Sequence, residues 1–276
     1  MKNEIGKRIA ELRKSFGMNQ EELAGKLSIT FQAVSKWETG ATYPDIELLS
    51  MISECFHVSV DYLLKGQDVK SKAYYDQRYN QDEYYWGFQP SVMCYKVLQQ
   101  MPPIKHLRLL DVGCGEGKDA VFFARNGYDV TAFDLAESGI EKTKRLAERC
   151  GVYVNAFTAD VNELRLNTEF DIIYSNGTLH YIPPEIRDEI FNNYKKFTIE
   201  NGINILSAFV KKPFVGSAPD TEKYTYQWLS GELFMLYHDW KIELCEEVVF
   251  DCMSSGIPHK HAINRVLAKK SEKLGE

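Results

Sequence analysis

The segment Leu109-Leu110-Asp111-Val112-Gly113-Cys114-Gly115-Glu116-Gly117-Lys118-Asp119 constrains the fold of this chain more than any other stretch. An apolar run ends at an aspartate, glycines follow at every second position, and a helical pattern begins near the third glycine. A strand feeding a helix through a tight turn uses residues in this way, because glycine lets backbone approach a ligand where a side chain would collide. Further strand-like runs, YDVTAFD, VYVNAFTAD, FDIIYSN and INILSAF, alternate with the helical patterns KDAVFFARNG, ESGIEKTKRLAERC and PEIRDEIFNNYKKF. This alternation predicts a Rossmann-like α/β fold: a doubly wound, mainly parallel sheet with helices on both faces. The last runs, WKIELCEEVVFDC and HAINRVLAKK, have no long helix between them, which predicts an antiparallel C-terminal edge.

Residues 1–66 have another texture, with short amphipathic helices, a single proline and no convincing strand. Asn19-Gln20-Glu21-Glu22 reads as a capping box that starts a helix with Leu23, Ala24 and Leu27 inward. After the short turn SIT, Thr30 caps a second helix, FQAVSKWE, whose inward residues are Ala33, Val34 and Trp37, and Gly40 supplies its stop. Two helices joined so tightly, between flanking helices, predict a small all-α helix-turn-helix domain over 1–66. The polar stretch after Gly66 places a linker at 67–71, leaving 72–276 for the α/β domain.

Charge argues against an indiscriminate attraction to nucleic acid or anionic membrane, since 33 basic residues face 39 acidic ones, a net of −6. The first 66 residues hold eight basic and nine acidic side chains, a net of −1. DNA affinity, which rests on neutralising phosphates, must therefore come from local placement and from pairing two copies. No run approaches the ~18 apolar residues of a membrane span, and MKNEIGKRIAELRK has no apolar export segment, so a cytoplasmic protein without a membrane partner is expected. The six cysteines are scattered without a C-x-x-C pair and read as reduced thiols. Cys252, His259 and His261 fall short of a complete ligand set, and no metal is expected.

The motifs NQEELAGKL, SITFQAVSKWETG and HVSVDYLLKG resemble the phage-repressor (Cro and XRE-like) helix-turn-helix family over almost all of residues 5–66. The resemblance implies double-stranded DNA as a partner, with Gln20 on a phosphate and Phe31, Gln32 and Lys36 facing base edges, flanked by Thr30 and Ser35. Gln32 suits adenine, Lys36 guanine or phosphate, and Phe31 a thymine methyl. It also implies a homodimer reading two half-sites.

In the second domain the spacing is G-x-G-x-G rather than the G-x-G-x-x-G of dinucleotide loops, with Asp111 two residues before the first glycine and Asp134 closing the next strand. These features resemble class I S-adenosylmethionine-dependent methyltransferases. YYWGFQPS, GEGKDAVFFARNGYDVTAFD and a tail of KPFVGSAP, DW and INRVLAKK narrow the resemblance to the tellurite-resistance and thiopurine-methyltransferase-like group, which acts on small polarisable acceptors. It implies S-adenosylmethionine as cofactor. Gly113, Cys114, Gly115 and Gly117 would pass backbone along the methionine portion and ribose, with Asp111 holding the loop and Asp134 binding the ribose. Asp160 would take the adenine amino group, Val161 would supply backbone, Leu135 would pack on the base, and Asn176 would lie beneath the sulfonium. Tyr79, Trp86 and Gln89-Pro90-Ser91 are candidates for a lid.

Methyl transfer from a sulfonium asks for alignment and desolvation more than covalent help, so a general base matters only if the acceptor must lose a proton. The candidates are His180 and Tyr181 after the fourth strand, and His259 and His261, which share one face of the last strand while Lys260 points away. Two other functions fit the same residues: a transcription factor that senses the cofactor without turnover, and a nucleic-acid methyltransferase. The second is disfavoured. Ser175-Asn176-Gly177-Thr178 stands where an adenine-directed enzyme would carry prolines and an aromatic, and no cysteine follows a proline.

Overall fold

Asn19 starts the second helix as its spacing requires: its side-chain oxygen accepts the Glu22 N–H at 2.9 Å, and its own N–H donates to the Glu22 carboxylate at 2.7 Å. The computed structural model describes residues 4–56, 58, 60–65, 69–216, 226–253 and 258–271, in two units that divide between Ala73 and Tyr74. The first unit holds α1 (Glu4–Ser15), α2 (Gln20–Lys26), α3 (Phe31–Glu38), α4 (Ile46–Phe56) and α5 (Val60–Lys65). Their apolar stripes meet in a core of Ile9, Leu23, Val34, Trp37, Ile52 and Leu63. Gly6 is obligatory there, because a Cβ would lie 1.9 Å from the Trp37 carbonyl oxygen, so α1 and α3 touch backbone to backbone. The turn between α2 and α3 passes through Ser28 at φ 55, left-handed backbone that a residue with a Cβ adopts at a penalty of roughly 1–2 kcal/mol.

The linker expected at 67–71 is described only in its last three residues. Residues 67 and 68 lie outside the described residues, and 69–71 open the helix α6 (Val69–Tyr79). After α7 (Val92–Gln100) the chain alternates as its pattern requires: β1 (Arg108–Val112), α8 (Lys118–Arg125), β2 (Asp129–Asp134), α9 (Glu137–Arg149), β3 (Asn155–Thr158) and β4 (Phe170–Asn176). A 3-10 turn (Leu179–Tyr181), α10 (Pro184–Lys196), β5 (Thr198–Phe209), α11 (Glu232–Met235), β6 (Lys241–Cys252) and β7 (His259–Lys269) complete it.

The seven strands run in the order β3-β2-β1-β4-β5-β7-β6. The first five are mutually parallel, and β7 is antiparallel to both β5 and β6, which is the expected edge. Successive residues of a strand face opposite sides, so Leu109 packs with Phe123, Ile140 and Ile205 on one face, while Leu110 packs with Phe133, Phe191 and Trp228 on the other. Strand order reverses between β1 and β4, and in such sheets a ligand binds outside the carboxyl ends of the strands at the reversal. Among the described residues, no helix is long and apolar enough to cross a membrane.

Candidate cofactor and acceptor site

The loop leaving β1 is built on positive φ: +74 at Gly113, +55 at Gly115 and +84 at Gly117. A Cβ on Gly113 would sit 1.9 Å from the Thr178 hydroxyl, and one on Gly117 2.5 Å from the Thr143 hydroxyl. These two glycines admit neighbouring elements, and a Cβ on Gly115 would press on the Tyr79 hydroxyl at 3.1 Å. The N–H groups of Gly113 and Cys114 donate to the Phe133 carbonyl at 2.9 and 3.0 Å, and Gly115 N–H donates to Asp134 Oδ2 at 2.8 Å. Ala136 N–H takes the other Asp134 oxygen at 2.9 Å.

Asp134 thus ties the glycine loop to the end of β2. Burial raises its pKa to about 6, against the pull of the amides of Ala136, Gly115 and Leu135. Each carboxylate oxygen has more than one acceptor direction, so both retain capacity for the two hydroxyls of a ribose. Asp111 is buried, and its Oδ2 has no hydrogen-bond partner among the described residues. Burial, followed by the Asp119 carboxylate, holds its carboxyl well above the ordinary range. A buried acid with an orphaned oxygen beside a glycine loop fits a ligand that brings hydrogen-bond donors or positive charge, which would restore its ionised form. The residues therefore suit the amino-acid end and ribose of S-adenosylmethionine.

The register of β2 with β3 sets Asp134 beside Thr158, and Ala159 N–H donates to the Asp134 carbonyl at 3.0 Å. Asp160 follows directly, buried, with one oxygen accepting Asn162 N–H at 2.8 Å. Leu135 is half-buried on the near side, and the Val161 side chain lies in the core, leaving its backbone for contact. Asn176 ends β4, donating to Ser91 Oγ at 2.8 Å and accepting Ser207 Oγ at 2.8 Å.

Tyr79 and Trp86 close over the loop, the Trp86 indole N–H donating to the Tyr79 hydroxyl at 2.9 Å. Their support was invisible in the sequence. Trp86 N–H donates to Glu116 at 3.1 Å, and the other Glu116 oxygen accepts Lys142 Nζ at 2.8 Å, with the two side chains 1% and 3% exposed. Lys118 Nζ reaches Ser91 Oγ at 2.7 Å and the Gln89 carbonyl at 3.2 Å, while Ser91 N–H donates to Asp119 at 2.8 Å. A carboxylate inside a glycine loop was the one available signal for Glu116; Lys142 and Asp119 carried none. Cys114 contributes backbone rather than thiol chemistry, since burial and then Asp111 push its thiol well above the usual range.

The base candidates divide. His180 is buried, its Nδ1 has no hydrogen-bond partner among the described residues, and burial followed by the nearby His261 pushes its pKa down to about 3. It stays neutral at pH 7 and accepts a proton poorly, contrary to the role expected of it. Tyr181 shares a 2.8 Å hydrogen bond with the Tyr75 hydroxyl. His259 and His261 share a face of β7 as expected, with Nε2 atoms 3.0 Å apart, and Lys260 points away to pair with Asp251.

In the helical unit, Thr30, Phe31, Gln32 and Lys36 are exposed on and just before α3, and Ser35 is half-buried beside them. Gln20 differs from expectation: its amide donates to Glu38 at 2.8 Å, joining a pair in which Arg13 donates twice to the same carboxylate. Burial opposes the Glu38 charge, but the bonds from Arg13 and Gln20 hold its carboxyl below the usual range.

A model of the family described as tellurite resistance protein TehB matches residues 68–253, and a helix-turn-helix model matches residues 9–63. The probable S-adenosyl-L-methionine-dependent methyltransferase TehB of Haemophilus influenzae is 24% identical over 196 residues, 71% of this chain and 62% of that protein. The chain thus spans about three-fifths of the length of that curated relative. The HTH-type transcriptional activator BcrR of Enterococcus faecalis is 37% identical over 82 residues, 30% of this chain and 40% of its own. The crystal structure of TehB from Haemophilus influenzae superposes with a TM-score of 0.58 at 22% identity, covering 72% of this chain and 67% of that one. Magnesium protoporphyrin IX methyltransferase from Synechocystis, with bound SAH, superposes with a TM-score of 0.53 at 16% identity over 74% of this chain and all of that one. The α/β unit has the fold of S-adenosylmethionine-dependent methyltransferases.

Proposed function

The chain belongs to the family of tellurite resistance protein TehB, and from that premise we propose an S-adenosylmethionine-dependent methyltransferase for a small polarisable acceptor, joined to a domain that reads double-stranded DNA as a homodimer. The observation that carries the enzymatic part is the cradle in which Gly115 N–H and Asp134 Oδ2 meet at 2.8 Å beside the orphaned Asp111 oxygen. When bound, S-adenosylmethionine supplies a methyl group on a sulfonium that leaves readily. Asp134 would hold the ribose hydroxyls, Asp111 and the loop backbone the amino-acid end, and Asp160 with Leu135 the adenine. Tyr79 and Trp86 would exclude water, which strengthens every polar contact inside. Tyr75, Tyr181 and neutral His180 would wall the acceptor side. An acceptor already anionic at pH 7 needs no proton removed, and a base as weak as His180 is adequate beside it.

Calorimetry should find one S-adenosylmethionine per chain, and S-adenosylhomocysteine should be released when tellurite, selenite or small thiols are offered. Failure to bind S-adenosylmethionine would sink the cofactor assignment. Binding without turnover on any acceptor would favour the second reading, a cofactor-sensing transcription factor, for which the observation is the exposed polar face of α3.

A further inference from the structure

The hairpin of β6 and β7 carries side chains for which the cofactor cradle has no use. Its register sets Cys252 directly opposite His259, and the two-residue period of the strand returns His261 to the same face. Asp251 and Lys260 turn the other way and pair at 2.7 Å. The Cys252 sulfur and one ring nitrogen from each histidine lie within 4.8 Å of one another, with the two Nε2 atoms 3.0 Å apart. Two imidazole nitrogens on one tetrahedral zinc, at bonds of about 2.0–2.1 Å, stand roughly 3.3–3.4 Å apart. Seating an ion therefore asks the rings to part by only a few tenths of an ångström. All three side chains are half-buried, neither sealed in the core nor loose on the surface.

The place is as telling as the spacing. β6 runs parallel to β5, so its last residue and the first residue of β7 lie on the rim made by the carboxyl ends of the parallel strands. That rim also carries the glycine loop and Asn176. The Phe209 ring stands between the two regions, 4.8 Å from His261 and 5.1 Å from His180. Three ligands looked incomplete from the sequence, yet three protein ligands and one exchangeable position define an open zinc site, whereas closed structural sites use four. A thiolate with two imidazoles also selects a soft or borderline ion over magnesium or calcium, which prefer oxygen.

We propose that Cys252, His259 and His261 form a three-ligand site for a thiophilic divalent ion of the zinc class at the carboxyl-end rim of the sheet, its fourth position filled by none of the described residues. Binding converts the Cys252 thiol to a thiolate and releases its proton to solvent, and each neutral imidazole donates one nitrogen lone pair.

The full-length, reduced protein should be titrated with cobalt(II) as the spectroscopic probe. One ion per chain is expected, with a thiolate-to-cobalt band in the near ultraviolet and ligand-field bands in the visible, all bleached by zinc. Cys252→Ser should abolish the thiolate band. His259→Gln should weaken binding beyond the 10–100-fold typical of losing a mere supporting contact. A small thiol added to the cobalt protein should shift the visible bands as it takes the fourth position. No thiolate band in the wild type, a band that survives Cys252→Ser, or visible bands indifferent to the thiol would each overturn the assignment. S-adenosylmethionine affinity, measured by calorimetry on the same samples, is expected to be unchanged, so the metal site and the methyltransferase reading fail separately.

Discussion

The two units treat their polar residues in opposite ways. In the helical unit the residues proposed to face DNA, Phe31, Gln32 and Lys36, stand in solvent, while the polar groups inside, Arg13, Glu38 and Gln20, satisfy one another. In the α/β unit Asp111, Glu116, Asp119, Lys142 and His180 are buried, and Asp111 Oδ2 and His180 Nδ1 remain without partners among the described residues. A surface that meets a macromolecule is dried only when the partner docks. A site that encloses a small molecule must hold polar groups ready in a dry interior, where each unsatisfied one opposes folding by about 1–3 kcal/mol. Substitutions should therefore separate binding from stability in the first unit and couple them in the second.

The most severe test of that coupling is Gly113→Ala. The residue would carry φ +74 and place a Cβ 1.9 Å from the Thr178 hydroxyl, so both backbone and packing must yield. Loss of S-adenosylmethionine binding is expected together with a large fall in melting temperature; an intact melt with lost binding would break the coupling. Next is Lys142→Met, which leaves Glu116 buried without its ion-pair partner and should destabilise by about 3–5 kcal/mol. Adding Glu116→Gln should recover much of this in chemical denaturation, because the loss lies in the uncompensated charge. A single variant as stable as the wild type would show that Glu116 finds water or another donor.

Asp134 makes the coupling visible through pH. Its folded pKa is raised to about 6 from the ordinary 3.8, so the folded state holds a proton that the unfolded chain has released. The associated stability is fully present below about pH 4 and is lost as pH rises through about 6. The difference in unfolding free energy between wild type and Asp134→Asn should decline across that interval and be flat above it. A flat difference throughout would mean that the loop amides, rather than burial, set the charge of Asp134. In the helical unit the opposite pattern is expected. Gln32→Ala and Lys36→Ala should each weaken operator binding by about 1–3 kcal/mol while melting temperature and S-adenosylmethionine affinity stay unchanged. The Lys36 change should also lower the salt dependence if it meets a phosphate.

Local rules made much of this molecule legible. The strand-to-helix glycine loop, the Asn19 capping box and the antiparallel tail each depend on neighbours a few residues apart, and each stands where its pattern placed it. What escaped depends on which elements pack together. Glu116 meets Lys142 only because α9 lies against the glycine loop, and Cys252 meets His259 only through hairpin register. The sequence could offer His180 as a base because histidine titrates near neutrality, but the 3-10 turn buries it beside Phe209 and His261, which reverses the inference.

Ser28 couples backbone strain to the placement of α3. It occupies left-handed backbone at φ 55 in the turn that sets α3 against α2, and it is exposed. Glycine adopts this conformation without the Cβ penalty of roughly 1–2 kcal/mol, but it gives back part of the gain through a more flexible unfolded chain. Ser28→Gly should therefore stabilise the helical unit by about 0.5–1 kcal/mol, read as slower amide exchange across α2 and α3 in the full-length protein. Operator affinity should hold, because the bases would be met by α3 side chains rather than by the turn. If stability rises while affinity falls, the strained turn is holding the recognition helix at its docking angle, and the separation of binding from stability in this unit would be incomplete at that one residue.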